Sequence, residues 1–231
     1  MKPGTAMPRT GRRFVIPALL TLAAAVTIGH IAWKGAGIND WQLARDENGI
    51  QVFTLKTPGQ TLLKVKARMK LATSLSSAVA LSRDNPFGAG DSAAEKLRVL
   101  ERIETPSVFL SYIAVEHQMP PPFHTREFVV LMNYAQDTAS KRVEINIQAA
   151  PTKAPPGSAA RVVHLNNVIR LTPSRDGQLE WEIAVDVDLD VPYPLANFAL
   201  PRELFDQLNE QKERVLAQKY RQAQLVSVRE L

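Results

Sequence analysis

The sequence predicts an α+β fold in which an antiparallel sheet of about nine strands covers one long C-terminal helix. A hydrophobic N-terminal helix lies outside it. Three observations carry the prediction. From Trp41 to Asp188 apolar residues recur mostly at every second position, the period of half-buried strands. Between Pro201 and Gln222 the period changes. At 100° per residue Leu204, Phe205, Leu208, Val215 and Leu216 fall within an arc of about 120°, opposite Arg202, Glu203, Asp206, Glu210, Glu213 and Arg214. Phe14–Trp33 is uncharged throughout and long enough to span a bilayer.

The N-terminal segment also explains the charge. The chain has a formal net charge of +5 and a pI near 9.6, which suggests nucleic acid until the charges are placed. Lys2, Arg9, Arg12 and Arg13 belong to the tail, and the remaining 24 basic residues nearly balance 23 acidic ones. The folded part therefore lacks the basic footprint of a nucleic-acid binder. Basic residues before an apolar span predict a positive-inside orientation with the rest of the chain exported. The span is read as an uncleaved signal anchor or a removed signal peptide, since no A-x-A-like site is well placed. Ala36–Asp40 reads as a short tether. The absence of cysteine excludes disulfides, thiolate chemistry and Cys-ligated zinc.

Strands are expected at Trp41–Arg45 and Ile50–Leu55 around the turn Asp46–Gly49, then at Thr61–Leu71. Thr73 or Ser74 caps a short helix that ends before Asn85-Pro86. A Gly-rich loop over Phe87–Ser92 leads to strands Leu97–Ile103 and Val108–Val115. Met119-Pro-Pro-Pro-Phe123 cannot join a ladder and forms a loop. Arg126–Tyr134, Arg142–Gln148, Arg161–Thr172 and Gln178–Asp188 complete the sheet, with a proline-rich loop over Pro151–Ala159. In the last helix, Pro201 suits the first turn and Lys212 interrupts the apolar arc.

Four stretches in this order resemble the START (steroidogenic-acute-regulatory-related lipid transfer) family. They are Trp41 with Asn48-Gly49-Ile50-Gln51-Val52, then Pro122–Val129 with its Arg126-Glu127-Phe128, then Arg161-Val162 with Leu171-Thr172-Pro173, and Val191–Asn197. The resemblance covers most of residues 41–222. It implies a helix-grip fold: a curved antiparallel sheet wrapped around the C-terminal helix, with a hydrophobic tunnel between them for one lipid-like molecule and no cofactor. With the apolar span before it, the expected organisation is a basic tail and signal anchor or signal peptide at 1–35, a tether at 36–40, the START-like domain at 41–224 and a C-terminal tail at 225–231.

The family's strand order places Thr61–Leu71 beside Gln178–Asp188, and the charges agree. Lys64, Lys66, Arg68 and Lys70 on one outer face suit Glu180, Glu182, Asp186 and Asp188 on the other. The acid and arginine found in the cavity of sterol-type members fall here on Ile113 and Met132, so the implied tunnel is more apolar. The candidate ligand-binding residues are Ser111, Ile113, Phe128, Met132, Asn167, Leu204, Leu208, Lys212 and Val215. Ser111 and Asn167 are polar residues in inward-facing sets, the latter with Val163, Leu165, Ile169 and Leu171. Lys212 either lies over apolar surface with its ammonium outside or meets a headgroup. No histidines have metal-ligand spacing, and no nucleophile–base arrangement can be argued. The expected function is binding, and transfer or presentation, of a lipid or other apolar molecule in the cell envelope, without catalysis. The alternative is a helix-grip enzyme acting on a hydrophobic substrate.

Overall fold

The computed structural model describes residues 11–87, 95–105 and 108–231. Two compact units divide it: residues up to Asp40 with Lys56–Thr61, and Trp41–Leu55 with Leu62–Leu231. Most of the expected Gly-rich loop, and Pro106-Ser107, lie outside the described residues.

In the first unit α1 (Gly11–Gly35) contains one stretch, Ala18–Gly35, long and apolar enough to cross a membrane. Within this unit the residues of the expected tether and those before it are hydrogen-bonded to Lys56–Thr61. The Trp33 indole N–H donates to the Thr61 carbonyl at 2.8 Å, Gly59 N–H donates to Lys34, and Asn39 N–H donates to Lys56. Lys56 Nζ donates to the carbonyls of Ala36 and Gln60. Gly37 is required here: its φ is +111°, and a Cβ would lie 2.3 Å from the Lys56 carbonyl oxygen.

The second unit is built on one sheet. In chain order its strands are β1 (Trp41–Glu47), β2 (Ile50–Leu55), β3 (Lys64–Leu71), β4 (Glu95–Glu104), β5 (Phe109–His117), β6 (Arg126–Gln136), β7 (Val143–Ala149), β8 (Ala160–Arg161), β9 (His164–Pro173), β10 (Leu179–Val185) and β11 (Val187–Asp188). Nine of them form an antiparallel path, β1-β2-β3-β10-β9-β7-β6-β5-β4, while the two-residue bridges β8 and β11 pair with β6 and β9.

Two expected strands are interrupted. The stretch from Arg161 breaks at Val162-Val163, where Val162 N–H donates to Glu127, and Val163 turns outward at 71% exposure rather than joining Leu165 inside. The last strand breaks at Asp186, whose carbonyl accepts from Asn166 N–H. There β10 parts from β3 and β11 continues along β9.

The expected charge pairing across β3 and β10 is present except at Asp188, which lies on β11 beside β9 because the strand breaks at Asp186. Lys70 stands opposite Glu180 and Arg68 opposite Glu182. Lys64 reaches Asp186 at 2.7 Å, Lys66 reaches Glu182 at 3.6 Å and Lys70 reaches Glu180 at 3.8 Å. Arg170 extends the network by bonding Glu182 and Glu144 at 3.0 Å each. Burial pushes the Asp186 carboxyl up, but hydrogen bonds from Lys64 and His164 outweigh it and hold the group below the usual carboxylate range.

Three helices complete the unit. Helix α2 (Leu75–Asp84) starts where expected, with Ser77 N–H donating to Ser74 Oγ at 3.1 Å. Its remaining free donors, Leu75 and Ser76 N–H, are taken by the Glu230 carboxylate at 3.0 and 2.8 Å. The C-terminal tail is thereby docked, with Val228 buried. Helix α3 (Tyr193–Val215) begins well before Pro201, because Pro194 already suits its first turn. Pro201 sits inside it, where it has no N–H to give to the helical ladder. The expected continuation to Gln222 fails at Ala217, which is extended and separates α4 (Gln218–Arg221). Helix α3 packs on β2 and β3, and α2 on α3, α4 and β9.

Candidate functional site

The register aligns inner-face residues in rungs across the sheet. Asn167 on β9 faces Ile147 on β7, which faces Met132 on β6, which faces Ser111 on β5. The next rung pairs Val130 with Ile113, and the one after pairs Phe128 with Val115. Five of the nine candidates, Ser111, Ile113, Phe128, Met132 and Asn167, are thus neighbours on one buried face. Leu204, Leu208 and Val215 supply the buried stripe of α3 over the other half of the sheet.

Lys212 does not join them. Its ammonium donates to the Asn48 carbonyl at 2.8 Å, at the turn between β1 and β2. The buried polar residue of this helix turn is its neighbour Gln211, which lies at i+3 from Leu208 and i−4 from Val215. That spacing was the available signal, although an amide in a core stripe is easily passed over.

Helix α3 is tied across β3 at both ends. Asn197 Oδ1 accepts from Leu63 N–H at 2.9 Å beside the start of β3. The Lys212 bond lies by the far end, where Ile50 faces Met69. Along the helix these ties are about 22 Å apart at 1.5 Å per residue. Leu63 to Met69 spans about 20 Å of strand. The helix therefore lies along its strand.

Motif residues prove structural. Arg126 is buried on the inner face and donates to the carbonyls of Leu189 (2.6 Å), His124 and Asp190, holding the approach to α3. Glu127 points to the outer face under the proline-rich loop. Arg161 pairs with it at 2.6 Å and also donates to the carbonyls of Pro151, Ala154 and Pro155. Ser111 Oγ donates to the Glu101 carbonyl at 3.3 Å, at the bulge of β4.

The interior is closed at most candidate positions. Ser111, Ile113, Met132, Leu208 and Val215 have essentially no accessible surface. A water-sized opening does not reach them, and the tunnel implied by the resemblance is not open there. A guest would need α3 or its neighbours to move. Two surface clefts, one beside Asp46, Gln51 and Lys70 and one beside Ser74, Pro173 and Glu230, lie away from this interior.

Comparison with solved structures shows the same architecture elsewhere. A STAR-related lipid transfer protein from Xanthomonas axonopodis superposes with a TM-score of 0.67 at 20% identity, covering 77% of this chain and 99% of that one. The human StarD13 lipid transfer and protein localization domain gives 0.64 at 13% identity, covering 93% and 100%. Human STARD10 gives 0.62 at 15% identity, covering 81% and 77%. No protein-family model and no curated protein sequence matches this chain. The chain has the START-like helix-grip fold.

Proposed function

We propose that this protein binds a lipid or similar apolar molecule between the sheet and α3, and transfers or presents it in the cell envelope while anchored by α1. The observation that carries the reading is the apolar inner face lying under a helix tied across it by two exchangeable hydrogen bonds, on a fold shared with lipid-transfer domains. Ile113, Phe128, Met132, Leu204, Leu208 and Val215 would form the apolar wall, with Met132 adaptable to different chains. Binding would be driven by burial, at roughly 25 cal/mol per Å² of apolar surface. Uptake would require α3 and the Met119–Phe123 loop to swing away and close again. In that arrangement the basic N-terminal tail stays inside and the domain is exported.

The test is native mass spectrometry of the full chain, purified in mild detergent and exchanged into nanodiscs of one synthetic phosphatidylcholine. A one-to-one complex with a lipid carried over from the expressing cells is expected. A chain that carries no such lipid, and takes none up from vesicles of total cell lipid, overturns the reading.

A further inference from the structure

Several polar groups of the inner face and of α3 have protein partners. Ser111, Arg126, Asn197 and Lys212 are bonded as described above. Three buried side chains are not. Among the described residues, Gln211 has no partner for either its amide oxygen or its amide nitrogen, the Trp181 indole N–H has no acceptor, and Asn167 Oδ1 has no donor. Gln211 and Trp181 are 0% exposed and Asn167 is 8% exposed. Groups buried this deeply are nearly always hydrogen-bonded, and leaving them otherwise is destabilising.

Register and helix geometry place two of the three at the same end of the sheet. Trp181 stands opposite Met69 and Leu171, and Met69 opposite Ile50, so Trp181 lies on the rung that begins beside the β1–β2 turn. The same turn receives the Lys212 ammonium. Around the helix, Phe205 and Lys212 mark the flank toward β1, since Arg45 of β1 stacks on the Phe205 ring. Gln211 lies 100° back from Lys212, on the flank away from β1 and toward the centre of the sheet, where Trp181 rises. Asn167 is four residues along β9 from Leu171, about 13 Å toward the other end of α3. Ala67, Ile169 and Ile183 lie in between.

We infer that Gln211 and Trp181 form a recognition station for the uncharged polar group of the guest, a hydroxyl, ester or amide. This rests on the lipid-binding reading and names the class of lipid. The Gln211 amide offers two donors and an acceptor, and the indole adds a donor. Neither carries charge, and among the described residues the only buried charged side chain on the inner face is Arg126, already bonded to three carbonyls. An ionised phosphate or carboxylate at the station would lose its hydration without a counter-charge, whereas a neutral group exchanges water for the amide and indole. The guest enters with its neutral headgroup innermost and its chain along the row toward Asn167.

The probes are monooleoylglycerol and oleate, which share one chain and differ in the headgroup. They are presented separately to the full chain in phosphatidylcholine nanodiscs above the carboxylate's titration range, with binding read by native mass spectrometry and Trp fluorescence. The wild type is expected to prefer monooleoylglycerol by at least tenfold. Gln211→Met should remove most of that preference and melt no lower than the wild type, because an orphaned amide is replaced by a thioether of similar shape. Trp181→Phe, which keeps the ring and deletes the N–H, should reduce the preference in the same direction and serves if the first variant misfolds. Equal binding of both probes by the wild type overturns the inference. So does an undiminished preference in a folded variant, which would mean that internal water alone occupies the station. Uptake of neither probe, with no carried-over lipid, overturns the lipid-binding reading as well.

Discussion

On the outer face of the sheet Lys64, Lys66 and Lys70 of β3 each reach an acid contributed by β10 or by the residue just after it, and Arg170 links Glu182 to Glu144 two strands further on. Among the described residues, the buried polar groups between the sheet and α3 fall into two sets, those bonded to backbone, such as Arg126 and Ser111, and those with atoms lacking a partner, namely Asn167 Oδ1, the Trp181 indole N–H and the Gln211 amide. The outer arrangement is closed: its charges answer one another and hold strands in register. The inner arrangement keeps hydrogen-bonding capacity the fold does not use. Polar residues that complete each other stabilise structure, and the polar residues buried without completion are the ones proposed above to hold a guest.

The largest test of the closed set is Glu127, among the described residues the one buried acid of the outer face. Its carboxylate anchors Arg161, whose guanidinium gathers three carbonyls of the proline-rich loop. Glu127→Ala leaves that cation with no counter-charge in a nearly dry setting, and should cost about 3–5 kcal/mol in a denaturant titration. A loss under about 1 kcal/mol would place this pair with ordinary surface bridges and would weaken the contrast between the faces.

A smaller effect separates the two ties of α3. Asn197→Ala strands the half-buried Leu63 N–H and should cost about 1 kcal/mol, with faster hydrogen exchange in the first turns of α3. Lys212→Leu removes a bond made at the surface and should change stability by less than about 0.5 kcal/mol. Equal effects at the two positions would mean that the helix is held uniformly and has no preferred end from which to open.

The outer face was legible in the sequence because strict alternation fixes which residues share a side, and two stripes of opposite sign have one sensible neighbour. The inner face was legible as a set: the register places Ser111, Met132 and Asn167 in one rung. What could not be read was the rotation of α3. The pattern locates an apolar arc but not its centre, so Lys212 was placed on the arc, with its ammonium either outside or at a headgroup, and the buried Gln211 beside it was not singled out. The strand breaks at Val163 and Asp186 depend on bonds to Glu127 and Asn166, distant in sequence, as does the docking of Glu230 on α2. Local periodicity carries no information about such partners. The helix start was misplaced because Pro194 and Pro201 both suit a first turn, and nothing local chooses between them.

The last test concerns protons on the outer face. Asp186 accepts from Lys64 of β3 at 2.7 Å and lies 3.0 Å from the ring of His164 on β9, and these contacts keep its folded-state pKa below the unfolded value. A depressed carboxylate adds stability that is fully present above its unfolded pKa and is lost as pH falls through the folded one. In denaturation series from about pH 6 down to about pH 2, the wild type should therefore exceed Asp186→Asn at the upper end, by no more than about 1 kcal/mol for so exposed a pair. The two should converge as the acid limit is approached. Gln211→Met, whose change involves no titrating group, should keep a constant offset from the wild type over the same range. A gap between wild type and Asp186→Asn that does not close with acid would assign the Asp186 contribution to shape rather than charge. The outer network would then not depend on ionisation at this corner.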